Sequence, residues 1–345
     1  LEDRRMFLKL FLPRFVGVIG ALSLSPWSAS SVFAATGGRV SLQDPKYKAL
    51  MRELARSHRF DPADLDAIFK KVVFQHEIIK KFKRPAERLP YYKYQGRFIN
   101  DPLILKGQVY LQKNGPLLQA VEEKFQVEKE VISSILGIET KFGQPGIERY
   151  RAFDILNTAF ALYTRRETFY RNELIAFLLL CREEGIDPFS VKSSYAGAFG
   201  VPQFIPSSFR RYAVDFDGDG KRDLWKSKGD IFASVANYLK KFGWRRNERT
   251  HLPVQIKDDS KELRAMVRRG IRKTVLAGKA KRMGIRFSEP VSDETEVSFA
   301  YYEPEKGKKS LLALLNNFRT ITRYNFSVNY ALVVIHLSRS ILGRG

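Results

Sequence analysis

Residues 215–226 read Asp-Phe-Asp-Gly-Asp-Gly-Lys-Arg-Asp-Leu-Trp-Lys. Carboxylates stand at Asp215, Asp217, Asp219 and Asp223, with Gly220 after the third. Acids this close repel one another unless a cation joins them, and here they cluster in a chain whose net charge is +23. The pattern is the D-x-D-x-D-G-x-x-D opening of an EF-hand-type calcium loop. It forces a tight, polar turn in the chain. By itself it names no activity.

The charge balance restricts the partners. Sixty Lys and Arg face 37 Asp and Glu, which suits a polyanionic partner such as nucleic acid, an anionic membrane or an acidic wall polymer. No zinc spacing, RNA-binding signature or basic heptad run accompanies the charge, so no nucleic acid is expected. The four histidines, at 58, 76, 251 and 336, are scattered. Cys181 is the sole cysteine, which leaves no intramolecular disulfide, and its apolar run Leu178-Leu179-Leu180 reads as core. Near the start, Arg4-Arg5-Met6-Phe7-Leu8-Lys9 precedes an apolar stretch from Phe15 to Leu24 and the small-residue site Val32-Phe33-Ala34. This reads as an export signal over 1–34, similar to a twin-arginine signal. Ser23, Ser25 and Pro26 make it short for a membrane span. The expectation is a periplasmic protein with a cleaved signal. A retained anchor, and with it an association with the envelope membrane, is the alternative. No cysteine lies near the cleavage site to carry a lipid.

Hydrophobic periodicity predicts a mainly α (α+β) fold. Residues 40–105 form an N-terminal segment, helical where Leu50, Leu54, Leu65, Ile68 and Phe69 recur, then extended over 84–105, where Pro85, Pro90, Gly96 and Pro102 fall. Residues 106–140, 153–185 and 229–242 read as helical, and 186–226 as loop. The core is placed at 106–251. A small mixed α/β insert lobe follows at 252–309, with β-type runs at Val254–Ile256 and Glu296–Tyr302 around a basic helical piece, 260–283. Helices return from Ser310 and complete the core over 310–345.

One carboxylate is out of place in this pattern. Val131, Ile132, Ile135 and Leu136 form the apolar stripe of a helix, and Glu139 falls on the same stripe. Burying a carboxylate raises its pKa, which is what a general acid needs near neutral pH. A Glu paired with an Arg, or one marking the stripe's edge, is the competing reading. The helix then breaks at Gly143 and Pro145-Gly146, which leaves room for a cleft. Further on, 193–208 mixes small residues with Ser194, Tyr195, Gln203 and Phe204, hydroxyls, an amide and aromatic faces of the kind that bind a sugar.

In order and spacing these blocks resemble the lytic murein transglycosylases of the B type. The match comprises Gly137-Ile138-Glu139-Thr140-Lys141-Phe142-Gly143, Ser194-Tyr195-Ala196-Gly197-Ala198-Phe199-Gly200, and Gln203-Phe204-Ile205-Pro206-Ser207-Ser208. It continues through Tyr212-Ala213-Val214-Asp215 and Ser234-Val235-Ala236-Asn237-Tyr238 to Ile321-Thr322-Arg323-Tyr324-Asn325 with Tyr330. The resemblance implies a lysozyme-like helical catalytic domain. It implies cleavage of the β-1,4 bond from N-acetylmuramic acid to N-acetylglucosamine in peptidoglycan glycan strands, without water, to give a 1,6-anhydromuramoyl end. Glu139 matches the single acid/base. Ser194 and Gln203 match polar residues lining the cleft, Tyr324, Asn325 and Tyr330 a C-terminal cleft motif, and Tyr94 an N-terminal aromatic. Arg165-Arg166 resembles a Tyr-Pro-Arg-Arg motif whose arginines face muramic acid or peptide carboxylates, with Thr164 in place of proline. Tyr330, four residues before Val334, also fits simple packing, as do Tyr238 and Trp244.

Two departures stand out. Lys226 holds the twelfth loop position, where an EF-hand has a bidentate Glu. The expected calcium ligands are therefore Asp215, Asp217, Asp219, the Lys221 carbonyl and Asp230, the last a late carboxylate of the kind the family uses. The ion would be structural and weakly held, with no cofactor for the chemistry. Phe199 and Val201-Pro202 also differ from the family's usual loop. A hydrolytic muramidase would need a second carboxylate, for which Asp154 and Asp187 are candidates. A non-catalytic wall-binding protein would have no use for Glu139 on an apolar face.

Overall fold

The computed structural model describes residues 38–82, 89–257 and 260–343. The expected export signal, residues 1–34, lies outside them. The described residues form two compact units. One draws on the described residues of 89–145 and 212–343, the other on those of 38–82 and 146–211.

The first unit is built around the helix Lys129–Thr140, packed against Asp101–Lys113 and Val328–Ile341. Its Val131, Ile132, Ile135 and Leu136 are buried, as the 3.6-residue period requires. The segment 84–105 departs from the extended reading. A short helix, Tyr91–Tyr94, follows Pro90, and the helix Asp101–Lys113 begins earlier than the apolar pattern predicts. The prolines cause this: Pro90 sits at the N-cap and Pro102 in the first turn, where a missing N–H costs nothing and the fixed φ favours helix.

The same unit carries an antiparallel sheet with strands in the order Val275–Leu276, Glu296–Glu305, Lys308–Leu314, His251–Ile256 and Ile285–Phe287. The basic piece 260–283 is not one helix. It divides into Lys261–Arg268, a 3-10 turn at Gly270–Arg272, the edge strand and a second helix, Ala277–Arg282. Nor does helix return at Ser310. Residues Lys308–Leu314 form a strand, and helix begins at Asn316. The leucines there favour helix in isolation, but both edges of the strand are claimed by neighbours, with Leu311 opposite both Tyr301 and Val254.

In the second unit the helices Ala152–Leu162 and Glu167–Glu183 pack together. An aromatic core fills the space around them: Phe153 stacks on Phe177 at 6.0 Å, and Tyr47 meets Phe160 edge-on at 5.2 Å. The stretch read as loop holds the helix Pro206–Tyr212, again opened by proline, and a two-residue strand in which Ser193 pairs with Tyr150. Cys181 is buried, and desolvation pushes its thiol up to about 12, as a core residue's would be.

Candidate active site

The helix Lys129–Thr140 ends abruptly, and the ending fixes Glu139. Lys141, Phe142 and Gly143 all take positive φ, at 50°, 62° and 79°, which turns the chain back on itself. The Phe142 ring then lies across the helix at Gly137. A Cβ there would stand 2.7 Å from its Cζ, so only glycine admits the ring. Phe142 joins Leu103, Leu337 and Ile341 in a small apolar cluster. Thr140 Oγ1 accepts the Gly143 N–H at 3.0 Å and closes the turn. Glu139 is left half-buried one turn from Ile135.

Its carboxylate has a defined partner. Tyr330 Oη donates to Glu139 Oε1 at 2.8 Å. Tyr330 lies in the first turn of Val328–Ile341, where its own N–H is capped by Ser327 Oγ. It is 2% exposed, and its ring stacks on Tyr324 at 6.4 Å and 9°. Tyr324 in turn meets Tyr238 at 4.9 Å, and Tyr238 Oη donates to the Arg323 carbonyl at 2.6 Å. Tyr330 is thus both packing and partner to the acid. The tyrosine hydroxyl supplies a directional donor to one carboxylate oxygen. Asn325 caps the C-terminus of Asn316–Tyr324 and is half-buried. Tyr94 is buried against Phe98 at 5.4 Å.

In the second unit, two turns carry the remaining candidates. Ser194 closes the first: its N–H donates to the Ala198 carbonyl at 2.8 Å and its Oγ accepts the Ala198 N–H at 3.3 Å. Tyr195, at its tip, is 36% exposed. The second turn is a tight reversal between Phe199 and Phe204, which exchange two backbone hydrogen bonds of 2.9 and 3.0 Å. Gly200 and Gln203 both take positive φ, 72° and 52°, and Gln203 Nε2 donates to the Gly200 carbonyl at 3.0 Å. A left-handed glutamine is strained, so its geometry depends on the surrounding bonds. Phe204 is buried beside Phe199 rather than offering an open ring face. Arg165 and Arg166 separate. Arg165 is exposed, whereas Arg166 is buried with its guanidinium 3.8 Å over the Phe169 ring. Burial pulls Arg166 below the ordinary guanidinium range, opposed by Tyr170, Tyr163 and Glu173.

Two acids of this unit carry no signal in the apolar pattern. Glu148 Oε1 accepts the Gly200 N–H at 2.5 Å and anchors the strained turn. Desolvation raises its pKa, and the Gly200 bond works against that rise. Glu173 caps the helix at Ser207, accepting its N–H at 2.9 Å and its Oγ–H at 2.7 Å. Asp154 and Asp187 are engaged locally. Asp154 accepts from Arg151 Nε at 2.7 Å and from the Val73 N–H at 3.0 Å, and Asp187 caps Phe189 at 3.1 Å.

The acidic loop brings Asp215, Asp217 and Asp230 together, each with a carboxylate oxygen within 4.8 Å of the others. Asp230 arrives from the first turn of Lys228–Lys241 and is 1% exposed. Its oxygens accept the Phe216 and Asp223 N–H groups at 2.8 Å each. Burial raises the Asp230 pKa. The two N–H bonds oppose the rise, and the neighbouring Asp217 and Asp215 charges reinforce it. A divalent cation is what would relieve such a cluster, so the residues fit one. Asp219 stands apart from the trio and accepts the Lys221 N–H at 2.8 Å. Asp223 caps Trp225 and Lys226.

A helical fold with a half-buried glutamate at a broken helix end is that of the lysozyme-like lytic transglycosylases. The chain belongs to the transglycosylase SLT domain family, whose model matches residues 43–339. It is 29% identical, over 308 residues, to membrane-bound lytic murein transglycosylase B of Escherichia coli (strain K12), covering 86% of this chain and 83% of that protein. Catenated lytic transglycosylase SltB1 from Pseudomonas aeruginosa is 38% identical and superposes with a TM-score of 0.80, over 87% of this chain and 98% of that one. Escherichia coli lytic transglycosylase Slt35 in complex with calcium is 28% identical, with a TM-score of 0.77 over 89% and 96% of the two chains.

Proposed function

We propose that the protein cleaves peptidoglycan glycan strands as a lytic transglycosylase with Glu139 as its single acid/base. The observation that carries this reading is the Tyr330 hydroxyl at 2.8 Å from Glu139 Oε1. It orients a half-buried carboxyl group without neutralising it, as an arginine would. Glu139 donates its proton to the glycosidic oxygen as the bond to C1 of N-acetylmuramic acid breaks. It then takes the proton of that sugar's C6 hydroxyl as O6 bonds to C1. The atoms balance with no water consumed, and the tethered hydroxyl removes the need for a second carboxylate to activate a nucleophile.

Ser194, Tyr195 and Gln203 serve the glycan as hydroxyl, ring and amide contacts. Arg165, exposed, meets carboxylates of the muramic acid or its peptide, and buried Arg166 supports the same turn. Tyr94, Tyr324 and Asn325 act as scaffold within the first unit, and Phe204 within the second. Asp215, Asp217 and Asp230 hold a structural calcium ion, with Asp219 and the Lys221 carbonyl as further oxygen donors. The protein works in the periplasm. Among the described residues no helix is long and apolar enough to cross a membrane.

Mass spectrometry of purified murein digested by the protein tests the reading. The expected products end in 1,6-anhydromuramic acid, and Glu139→Gln yields none while keeping the parent's circular dichroism. Reducing ends in place of anhydro ends would assign the chain to hydrolysis. Asp154, held by Arg151 and the Val73 amide, is not poised for that role.

A further inference from the structure

The tight turn that carries Gln203 is held from outside itself. Within it, Phe199 and Phe204 exchange their two backbone bonds, and the Gly200 carbonyl accepts both the Gln203 N–H at 2.9 Å and Gln203 Nε2 at 3.0 Å. The Gly200 N–H goes elsewhere, to Glu148 Oε1 at 2.5 Å, 52 residues earlier in the chain. Glu148 reaches it along a built path. Gly146 takes a φ of 104°, and Arg149 Nε donates to the Gly146 carbonyl at 2.8 Å, which closes a bend around Glu148. Tyr150 and Arg151 then pair with Ser193 and Lys192, and the Ala152 N–H donates to the Val191 carbonyl at 2.9 Å. This short ladder lays the chain before Tyr150 alongside the chain after Ser193, so Glu148 meets the turn at Gly200.

The arrangement is a costly way to satisfy one amide. Glu148 is half-buried and makes no ion pair among the described residues. Its desolvation is opposed by the Gly200 bond. A carboxylate in that position loses hydration that a single hydrogen bond returns only in part. The turn it meets is itself strained, because Gln203 carries a Cβ at a φ of 52° and is 4% exposed. Such a conformation persists only where its surroundings over-determine it. The bonds to the Gly200 carbonyl come from Gln203 itself and move with it. The bond to the Gly200 N–H comes from another segment, so it gives the bend a fixed point outside itself.

We propose that Glu148 is a positioning residue, which acts through Gly200 to set the side-chain amide of Gln203 for the glycan. The inference rests on the reading of Gln203 as a glycan contact. The role is that of an acceptor: position 148 supplies an oxygen aimed at the Gly200 N–H, and neither its charge nor a proton enters the reaction. Without that oxygen the turn is free to relax from the left-handed geometry, and the Gln203 amide leaves its bound setting before any sugar arrives. The glycan then has to order the turn as it binds, so the cost falls on binding.

Kinetics on soluble murein fragments, with anhydro products counted by mass spectrometry, test it. Glu148→Ala should raise KM about tenfold, the lower end of what a hydrogen bond to a carboxylate is worth, and leave kcat within about twofold of the parent's. Glu148→Gln keeps the accepting oxygen and should stay within about threefold of the parent in KM. Gln203→Ala should raise KM on its own. In the double variant Glu148→Ala/Gln203→Ala, kcat/KM should fall no more than about twofold below that of Gln203→Ala, because the group being positioned is already gone. Losses that multiply in the double variant overturn the proposal, as does a parent-like KM in Glu148→Ala. So does a Glu148→Gln variant as impaired as Glu148→Ala, which would make the charge rather than the acceptor the cause. A lowered kcat at unchanged KM also overturns it, since that marks a smaller folded fraction and a merely structural Glu148. Failure of the underlying reading looks different: Gln203→Ala alone would keep the parent's KM, and the proposal would fall with it.

Discussion

The hydrogen bond from Tyr330 to Glu139 carries the most chemistry in the molecule for its size. A buried tyrosine could have placed its hydroxyl on a backbone carbonyl, as Tyr238 does on Arg323. Tyr330 instead donates to a side-chain carboxyl, and ring stacking on Tyr324 removes its freedom to turn away. Hydrogen bonds to charged groups are worth about 1.5–3 kcal/mol, and in the proposed mechanism the worth of this one lies in holding a single carboxyl geometry through two proton transfers. Tyr330→Phe keeps the stacked ring and deletes the donor. The expected outcome is a kcat on murein lowered roughly 10- to 100-fold, from that same energy range. KM should stay within about twofold and the melting temperature near the parent's, since the lost bond orients the reacting group rather than the bound sugar. A rise in KM with kcat unchanged would place Tyr330 in substrate binding instead.

At the scale of elements, the site depends on how one helix ends. Gly137 belongs to the motif around Glu139 and is buried in the helix Lys129–Thr140. Its role is to let the Phe142 ring cross the helix, and a methyl group 2.7 Å from Cζ would push that ring off Leu337 and Ile341. Gly137→Ala should therefore destabilise the protein by about 1–3 kcal/mol, as overpacking does. Thermal unfolding should show this as a midpoint lowered by several degrees, with a parallel loss of activity from the displaced helix end. An unchanged midpoint would mean that the ring relaxes freely. Such elements were unequally legible in the sequence. Glu139 could be read because a helical stripe has a fixed period and a carboxylate on it breaks the rule. The place of Asp230 beside the loop was legible because Lys226 removes the last carboxylate of the pattern and the family resemblance implies a later one. Its carboxylate lies with Asp215 and Asp217, whereas Asp219 stands apart. The strand Lys308–Leu314 could not be read, since its leucines obey no strand alternation and its pairing comes from partners distant in sequence. Glu148 was equally silent: nothing local says that an acid in a glycine- and proline-rich loop will reach the Gly200 amide 52 residues on.

Over the whole molecule, the positive charge that composition reports has consequences for titration as well as for partners. His251 opens the strand His251–Ile256 and packs edge-on to Phe318 at 5.8 Å. Desolvation brings its pKa down from 6.5 to about 4, with Arg339 and His336 adding electrostatic pressure. His336 is shifted the same way by burial and by Arg339. A histidine whose folded pKa is depressed stays neutral in the folded protein while the unfolded chain takes up a proton. Above pH 6.5 both states are neutral and the residue adds no pH dependence. As pH falls from 6.5 toward 4 the unfolded state alone binds the proton, so stability is progressively lost, and below about 4 the loss levels off. At about 1.4 kcal/mol per pKa unit the full effect is on the order of 3 kcal/mol, reduced by the ring's partial exposure. His251→Asn keeps a polar group facing Thr250 and removes the titration. In chelator-treated samples unfolded by urea at intervals from pH 7 to pH 4, the parent should lose about 2–3 kcal/mol more stability than the variant. The difference should grow mainly between pH 6.5 and 4, because carboxylates common to both proteins cancel in the comparison. Parallel curves across that range would show that His251 is protonated in the folded lobe, and that Arg339 and the surrounding charge do not hold it neutral.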